Sequence, residues 1–157
     1  MLKMCEEDGA RMSRYITFEG KRVLLVEDEL FLAEKISLQL AALGVKEVLT
    51  AANLAEAKQH IHSEQIHLAL LDVNLQDGDT TIELGLTLSG DLVPVVYFSG
   101  VSTSDMGELS RGFEFLEKPL SVSRLKAAMQ RAILRASSLS DSPSGKKMAG
   151  REARQSG

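Results

Sequence analysis

Residues 68–78 read LALLDVNLQDG, in which four apolar residues are followed directly by Asp72 and then by turn-forming residues. A short apolar run with such flanks is typical of a strand buried on both faces, as in a parallel sheet. Further runs of this kind recur along the chain, and stretches with helical apolar spacing separate them. This alternation predicts a doubly wound α/β domain. The predicted strands cover residues 23–26, 45–49, 67–71, 93–98 and 114–116.

The clearest amphipathic stretch covers residues 30–43 and is followed by Gly44, where a glycine that ends a helix belongs. A second helix is predicted to begin after Asn53, whose side chain can cap its first turn. A third is predicted over residues 121–133. The apolar stripe of the first helix consists of Leu32, Ile36, Leu40 and Leu43.

Length and composition bound the class of protein. The chain has 157 residues, of which 44% are hydrophobic and 25% charged, as in one soluble globular domain. A net charge of -4 argues against broad nucleic-acid binding. No apolar stretch approaches the roughly 18–20 residues of a membrane span, and acidic residues stand where a signal peptide would be apolar. We therefore expect a cytoplasmic protein with no membrane association.

The composition divides the chain into three zones. We predict an N-terminal extension over residues 1–20, the folded domain over 21–136 and a disordered tail over 137–157. The tail is rich in Ser, Gly, Lys and Arg, and it offers too little apolar surface to offset the entropy of ordering.

Polar residues with coherent chemistry follow the predicted strands. Ligands of doubly wound folds bind beyond the carboxyl ends of the strands. Glu27 and Asp28 follow the first run, Asp72 the third, Ser99 the fourth and Lys118 the fifth. Converging carboxylates need a compensating cation, and Mg²⁺ suits them because it also keeps open positions for phosphate oxygens. A carboxylate can attack phosphorus to give an acyl phosphate, whose charge Mg²⁺ and a lysine would stabilise.

At these residues the sequence resembles the response regulator receiver family of two-component signalling. The similarity lies in the strings VLLVEDE, LLDVNLQDG, VVYFSG and EFLEKPL, which occur in the family's order, and it covers about residues 21–136. It implies a flavodoxin-like fold, with five parallel strands in the order 2-1-3-4-5.

The resemblance also implies a role for each matching residue. Glu27, Asp28 and Asp72 would hold Mg²⁺, together with the backbone carbonyl of Asn74. Asp72 would be the phosphoacceptor, in a reaction that Lys118 assists.

Three residues would report the phosphorylation. Ser99 would hydrogen-bond the phosphoryl group, Lys118 would pair with it, and Phe115 would be the aromatic switch residue. The Lys118–Pro119 peptide is usually cis in this family, and the X–Pro amide makes that isomer affordable.

One departure concerns the segment between strands four and five. Lys118 follows Ser99 by 19 positions, about three fewer than the family leads us to expect. We predict that the fourth helix, which this segment would form, is shortened. Because receivers commonly signal through that face, a different surface is implied for the output.

The leading functional hypothesis is a stand-alone phospho-switch that is not an enzyme and has no DNA-binding domain. A histidine kinase or a histidine phosphotransfer protein would donate the phosphoryl group, and an unknown downstream protein would read the result. One alternative is a phosphatase of the haloacid dehalogenase type, although Asn74 stands where its DxDx[TV] pattern has a second aspartate. The other is a pseudo-receiver that is not phosphorylated. His60, His62 and His67 are interpreted as surface residues.

Overall fold

A computed structural model describes residues 16–100 and 112–140 of the chain. Five parallel strands form one sheet in the order β2-β1-β3-β4-β5, as the family resemblance implied. The strands are β1 (Arg22–Val26), β2 (Glu47–Ala51), β3 (Leu68–Asp72), β4 (Val95–Ser99) and β5 (Glu114–Glu117). The helices of the described residues, numbered here in chain order, are α1 (Leu30–Ala42), α2 (Leu54–Ser63), α3 (Ile82–Gly90) and α4 (Val122–Ser140).

The strands end later than the apolar runs suggested. Asp72 and Ser99 are the last residues of β3 and β4, and do not follow them. The reason is pairing, since Asp72 lies opposite Phe98 and Ser99 lies opposite Glu117 in the parallel ladder. Backbone hydrogen bonding therefore holds both polar residues in the sheet. The sequence pattern also did not locate α3.

Each face of the sheet is covered by a pair of helices. Alternate residues of β1 point to opposite sides, with Val23 and Leu25 in one apolar cluster and Leu24 and Val26 in the other. The first cluster includes residues of α1 and α4, and the second includes residues of α2 and α3. All four of these strand residues are fully buried, as expected for a parallel sheet covered on both faces.

The predicted ends of the first two helices are confirmed. Helix α1 is followed by Gly44, which has φ +95° and donates its N–H to Ala41 O at 3.0 Å. Only glycine adopts this left-handed conformation without strain. Helix α2 begins after Asn53, whose Oδ1 accepts from Glu56 N at 2.9 Å. In return, the Glu56 carboxylate accepts from Ala52 N at 2.7 Å, so the two side chains cap the helix reciprocally.

Both predicted domain boundaries need adjustment. Phe18, placed in the N-terminal extension, is 3% exposed within the α1/α4 cluster, and Ile16 packs against it. At the other end, α4 continues to Ser140 and not to residue 136. Residues 137–140 extend the helix as its last turn, because α4 is already anchored on the sheet upstream through Leu125 and Met129. The remainder of the predicted tail, residues 141–157, lies outside the described residues.

Of the three histidines interpreted as surface residues, His60 and His67 are only partly exposed. His67 is half-buried, its N–H donates to Arg22 O at 2.9 Å, and its Nδ1 accepts from Arg22 N at 2.8 Å. This exchange joins the start of β1 to the residue before β3. His60 is also half-buried and lies 2.9 Å from Thr50 O through Nε2, whereas His62 is exposed as predicted.

The shortened helix that was predicted between β4 and β5 falls on residues 101–111, outside the described residues. Within the described residues, none of the helices is both long and apolar enough to cross a membrane.

Candidate functional site

The site lies at the carboxyl ends of β1, β3 and β5. Glu27 directly follows β1, and its N–H donates to Ala51 O at 2.9 Å, so the chain stays in register with β2 beyond the strand. Asp72 ends β3. Both carboxylic acids are only 3% exposed, although each carries an ionisable group. Burial of this kind is costly without a partner, so the partners define the site.

Lys118 is the common partner of the two buried carboxylates. Its Nζ lies 2.9 Å from Asp72 Oδ2 and 3.0 Å from Glu27 Oε1. The lysine is positioned by its backbone, because its N–H donates to Ser99 O at 2.8 Å and the following peptide to Pro119 is cis. The Nζ also lies 5.5 Å from the centroid of the Phe98 ring. The expected cis peptide is thus present.

Burial and charge act on the two ionisable partners in different ways. Burial raises the pKa of Glu27, and this effect outweighs the hydrogen bond from Glu29 N and the contact with Lys118. Burial alone would lower the pKa of Lys118, but its hydrogen bond to Asp72 and its ion pair with Glu27 raise it. The lysine therefore stays charged, whereas burial disfavours the charged form of Glu27.

Asp28 connects the acidic pair to the loop after β3. Its Oδ2 accepts a hydrogen bond from Gln76 N. The loop folds back on itself, since Leu75 N donates to Asp79 O at 3.0 Å and Gly78 N to Leu75 O at 3.0 Å. Gly78 has φ +94°, a conformation that a side chain would strain. The turn residues after Asp72 therefore hold a backbone N–H against the second carboxylate of the pair.

Three carboxylates converge closely enough to share one cation. Glu27, Asp28 and Asp72 can each present an oxygen within 4.8 Å of the others. Lys118 is the ammonium in contact with two of them, so one positive charge faces three negative ones. Glu27 Oε1 is buried and has no partner with hydrogen-bond geometry in the described part of the chain, although Lys118 Nζ is 3.0 Å away. An unsatisfied oxygen in an all-oxygen, negatively charged cluster fits Mg²⁺.

Asn74 lies in the same loop but is not drawn into the cluster by its side chain. It is exposed and forms an isolated antiparallel bridge with Thr80. The role expected of its carbonyl stays a prediction.

Ser99 and Phe115 lie on neighbouring strands. Ser99 is buried at the end of β4, while Phe115 is half-buried on β5. The Phe115 ring stacks on Tyr97, with ring centroids 5.1 Å apart and planes inclined by 22°. The two proposed switch residues are therefore joined through β4.

Sequence reasoning missed Thr81, which contacts the strand that carries the central aspartate. Thr81 is fully buried just before α3, and its Oγ1 donates to Asp72 O at 2.9 Å. Sequence reasoning also missed Tyr97, which was treated only as part of an apolar strand. A threonine before an unrecognised helix and a tyrosine in a strand carry no distinctive signal, because their contacts are made across the fold.

The described residues also form a groove away from this site. It has a volume of about 800 Å³ and lies between α2 and α3. Leu54 and Ile61 line one side and Leu84 and Leu88 the other. Its lining does not include the acidic cluster, so the chemistry and not the size of the cavity identifies the site.

Comparison with known proteins identifies the family. The sequence profile of the response regulator receiver domain matches residues 23–130. The chain belongs to this family. It is 29% identical over 119 residues to the transcriptional regulatory protein CrdR of Helicobacter pylori, covering 71% of this chain and 54% of CrdR. It is 34% identical over 119 residues to DpiA of Escherichia coli, covering 69% of this chain and 50% of DpiA. The receiver chain thus spans about half the length of these two relatives.

Solved receiver structures show the same architecture. SdrG of Sphingomonas melonis superposes with a TM-score of 0.62 at 26% identity, over 76% of this chain and 99% of SdrG. A CheY-like receiver domain of Methylobacillus flagellatus superposes with a TM-score of 0.64 at 22% identity, over 73% of this chain and 99% of that one. The second similarity is evidence for the fold alone.

Proposed function

We propose that this receiver domain accepts a phosphoryl group on Asp72 in a reaction that requires Mg²⁺, and that the modification switches its surface. The observation that carries the proposal is the placement of the buried Asp72 carboxylate. It lies 2.9 Å from the Lys118 ammonium and shares a cation-sized cluster with Glu27 and Asp28.

The reaction is a transfer from phosphohistidine to carboxylate. An Asp72 oxygen attacks the phosphorus, and the new O–P bond forms as the P–N bond to imidazole breaks. The imidazole leaves with the electron pair and takes up a proton from solvent. Lys118 stabilises the charge on the phosphoryl oxygens, which must be met by prepositioned cations.

The metal would be held by Glu27, Asp28 and Asp72, with Asn74 supplying a backbone carbonyl. Mg²⁺ bound there would offset the repulsion between the carboxylates and the incoming phosphoryl group. The unsatisfied Glu27 oxygen supports this assignment, because a bound cation would satisfy it.

Phosphorylation adds roughly −1.5 to −2 of charge at neutral pH, next to the carboxyl end of β4. In this proposal Ser99 hydrogen-bonds the phosphoryl group, and Phe115 changes its packing in response. Ser99 supports this role by its position, since its carbonyl already holds Lys118 through a 2.8 Å hydrogen bond.

The partners follow from this chemistry. The donor is a histidine kinase or a histidine phosphotransfer protein, and a downstream protein reads the switched surface. The curated relatives are named transcriptional regulators, and the receiver chain matches about half of each. Their names describe those whole proteins and not the output of this one.

Incubation with acetyl phosphate and Mg²⁺, followed by intact-mass measurement, tests the proposal. The wild type should gain one phosphoryl group, Asp72→Asn should gain none, and chelation of Mg²⁺ should abolish the gain. Asp77→Asn is the matched control, because Asp77 is an exposed acid of the same loop. A folded wild type that gains no mass would support the pseudo-receiver alternative. Many turnovers of a generic phosphate monoester would support the phosphatase.

A further inference from the structure

Tyr97 is a buried polar residue to which the proposed phosphorylation chemistry assigns no role. It lies on β4, two residues before Ser99, and is 0% exposed. Its hydroxyl donates to Ile82 O, in the first turn of α3, at 2.8 Å. Burial raises the pKa of Tyr97 to about 12, so the hydroxyl remains a hydrogen-bond donor at physiological pH.

Helix α3 is shaped to receive this hydroxyl. A Cβ at Gly85 would lie 2.0 Å from Tyr97 Oη and 2.5 Å from Tyr97 Cζ, which is closer than real atoms approach. Glycine in a helix interior normally costs about 1 kcal/mol relative to alanine. Its presence at position 85 is explained by the close approach of the tyrosine.

The same ring also contacts β5 and the residue that precedes it. Phe115 stacks on Tyr97 at 5.1 Å, and Phe113 meets it edge-on at 5.3 Å with planes inclined by 74°. Tyr97 therefore contacts the residue expected to switch and, through its hydroxyl, the start of a helix on the sheet face.

The first turn of α3 is also tied to the phosphoacceptor strand. Thr81 Oγ1 donates to Asp72 O at 2.9 Å, and Gly85 N donates to Thr81 O at 2.9 Å. Two side chains, Thr81 and Tyr97, thus fix the start of this helix against β3 and β4. A shift of either strand end or of the tyrosine ring changes the position of the turn, because packed cores transmit small displacements.

We propose that Tyr97 is a positioning residue that couples the packing of Phe115 to the first turn of α3, so that phosphorylation alters the face of the domain formed by this helix. The inference rests on the proposed function of Asp72. It places an output on α3, whose exposed side includes Leu86, at 46% exposure.

Intrinsic fluorescence gives a direct readout of the ring. The chain has no Trp and two Tyr, so Tyr15→Phe leaves Tyr97 as the single dominant emitter. Beryllofluoride with Mg²⁺ should change the tyrosine emission of this variant, and the change should be absent when Asp72→Asn is added. Unchanged emission under conditions where beryllofluoride binds would overturn the coupling.

Hydrogen exchange tests the hydroxyl itself. The Tyr97→Phe variant keeps the ring stack and removes only the bond to Ile82 O. After reaction with acetyl phosphate, its phosphorylation-dependent change in exchange over residues 82–86 should be smaller than in wild type by about threefold or more, a size typical of residues in direct contact. Phe113→Leu is the control, since it removes the edge contact and leaves the hydroxyl in place; its response should equal that of wild type.

Intact mass measured on the same samples separates the two proposals. If the wild type is not phosphorylated, the proposed function fails and this coupling fails with it. If Tyr97→Phe is phosphorylated fully and its residues 82–86 respond as in wild type, the coupling is wrong and the function of Asp72 stands. A reduced response in Phe113→Leu equal to that of Tyr97→Phe would also overturn it, because general loss of packing would then be the cause.

Discussion

Lys118 Nζ lies 2.9 Å from Asp72 Oδ2, although the two residues are 46 positions apart in the chain. The same Nζ is 3.0 Å from Glu27 Oε1, so one ammonium group links the ends of β1 and β3 to the residue after β5. The lysine partly offsets the negative charge of the buried carboxylates. It also occupies the position from which a cation would stabilise a phosphoryl group on Asp72.

Replacement of this lysine should weaken both the fold and the reaction. Lys118→Met leaves two buried carboxylates without their ammonium partner, and should lower the free energy of unfolding by about 1–3 kcal/mol. Urea unfolding measures this loss. Mg²⁺ should restore part of the stability, because a ligand that binds only the folded state stabilises it. Lys126→Met, on the exposed side of α4, serves as the control. Equal stabilities of the two variants would contradict the assigned role.

Asp28 should be a metal ligand, and this can be measured without phosphorylation. Asp28→Asn removes a carboxylate charge from the cluster, so Mg²⁺ affinity should fall by at least about tenfold, a loss seen even for outer-shell partners of metals. Isothermal titration of wild type, Asp28→Asn and Asp77→Asn makes the comparison. Unaltered affinity in Asp28→Asn would remove it from the ligand set.

Gly85→Ala should be destabilising despite the better helix propensity of alanine. The propensity gain is about 1 kcal/mol, whereas forcing a methyl group into a packed interior costs about 1–3 kcal/mol. Since the added Cβ would lie 2.0 Å from Tyr97 Oη, we expect a net loss of stability in urea unfolding. In a Tyr97→Leu background the same substitution should be tolerated. A loss of the same size in both backgrounds would show that the clash is not with Tyr97.

The buried Glu114 should depend on two arginines together. Its carboxylate is bound by Arg131 at 2.8 Å and by Arg135 at 2.7 Å, which ties β5 to α4. Arg131→Ala or Arg135→Ala alone leaves Glu114 with one partner. The loss of stability in the double variant should therefore exceed the sum of the losses in the two single variants. The double variant leaves a buried carboxylate unpaired and should lose about 1–3 kcal/mol. Strict additivity in a double-mutant cycle would contradict this shared pairing.

His67 should make the stability depend on pH. Burial and the positive charges of Lys21, Arg22 and Lys46 lower the pKa of His67 below the ordinary histidine value of 6.5. Just below that pH the unfolded chain binds the proton more readily than the folded one, so stability falls as the pH decreases through 6.5. Unfolding midpoints measured from pH 7.5 to 5.5 should show this fall in wild type and in His62→Gln. The His67→Gln variant should show less of it; an identical pH profile would contradict the prediction.

Much of the fold was predictable because parallel strands buried on both faces leave a strong local signal. The apolar runs located all five strands to within two residues at each end. Helix α3 was missed because its sequence, IELGLTLSG, is short and carries two glycines, which are poor helix formers. The contact of His67 with the backbone of Arg22 was not predicted, because no sequence pattern reveals it.

The residues of the candidate site could be named from sequence, but their mutual contacts could not. Glu27, Asp28, Asp72 and Lys118 were identified from their places after the apolar runs and from the family resemblance. The structure brings these four together, and places Phe115 against Tyr97. Their roles in metal binding and phosphoryl transfer are the proposals made above.

The sequence by itself determined the class of fold and the set of ionisable groups at one edge of the sheet, since hydrophobic periodicity and the residues that follow each apolar run can be read along the chain. Only the tertiary structure decided which groups meet. The contacts of Lys118 with Asp72, of Thr81 with the Asp72 carbonyl, and of Tyr97 with Ile82 and Phe115 all join different segments of the chain. Such contacts arise from packing in three dimensions, where distance along the chain no longer limits which side chains interact.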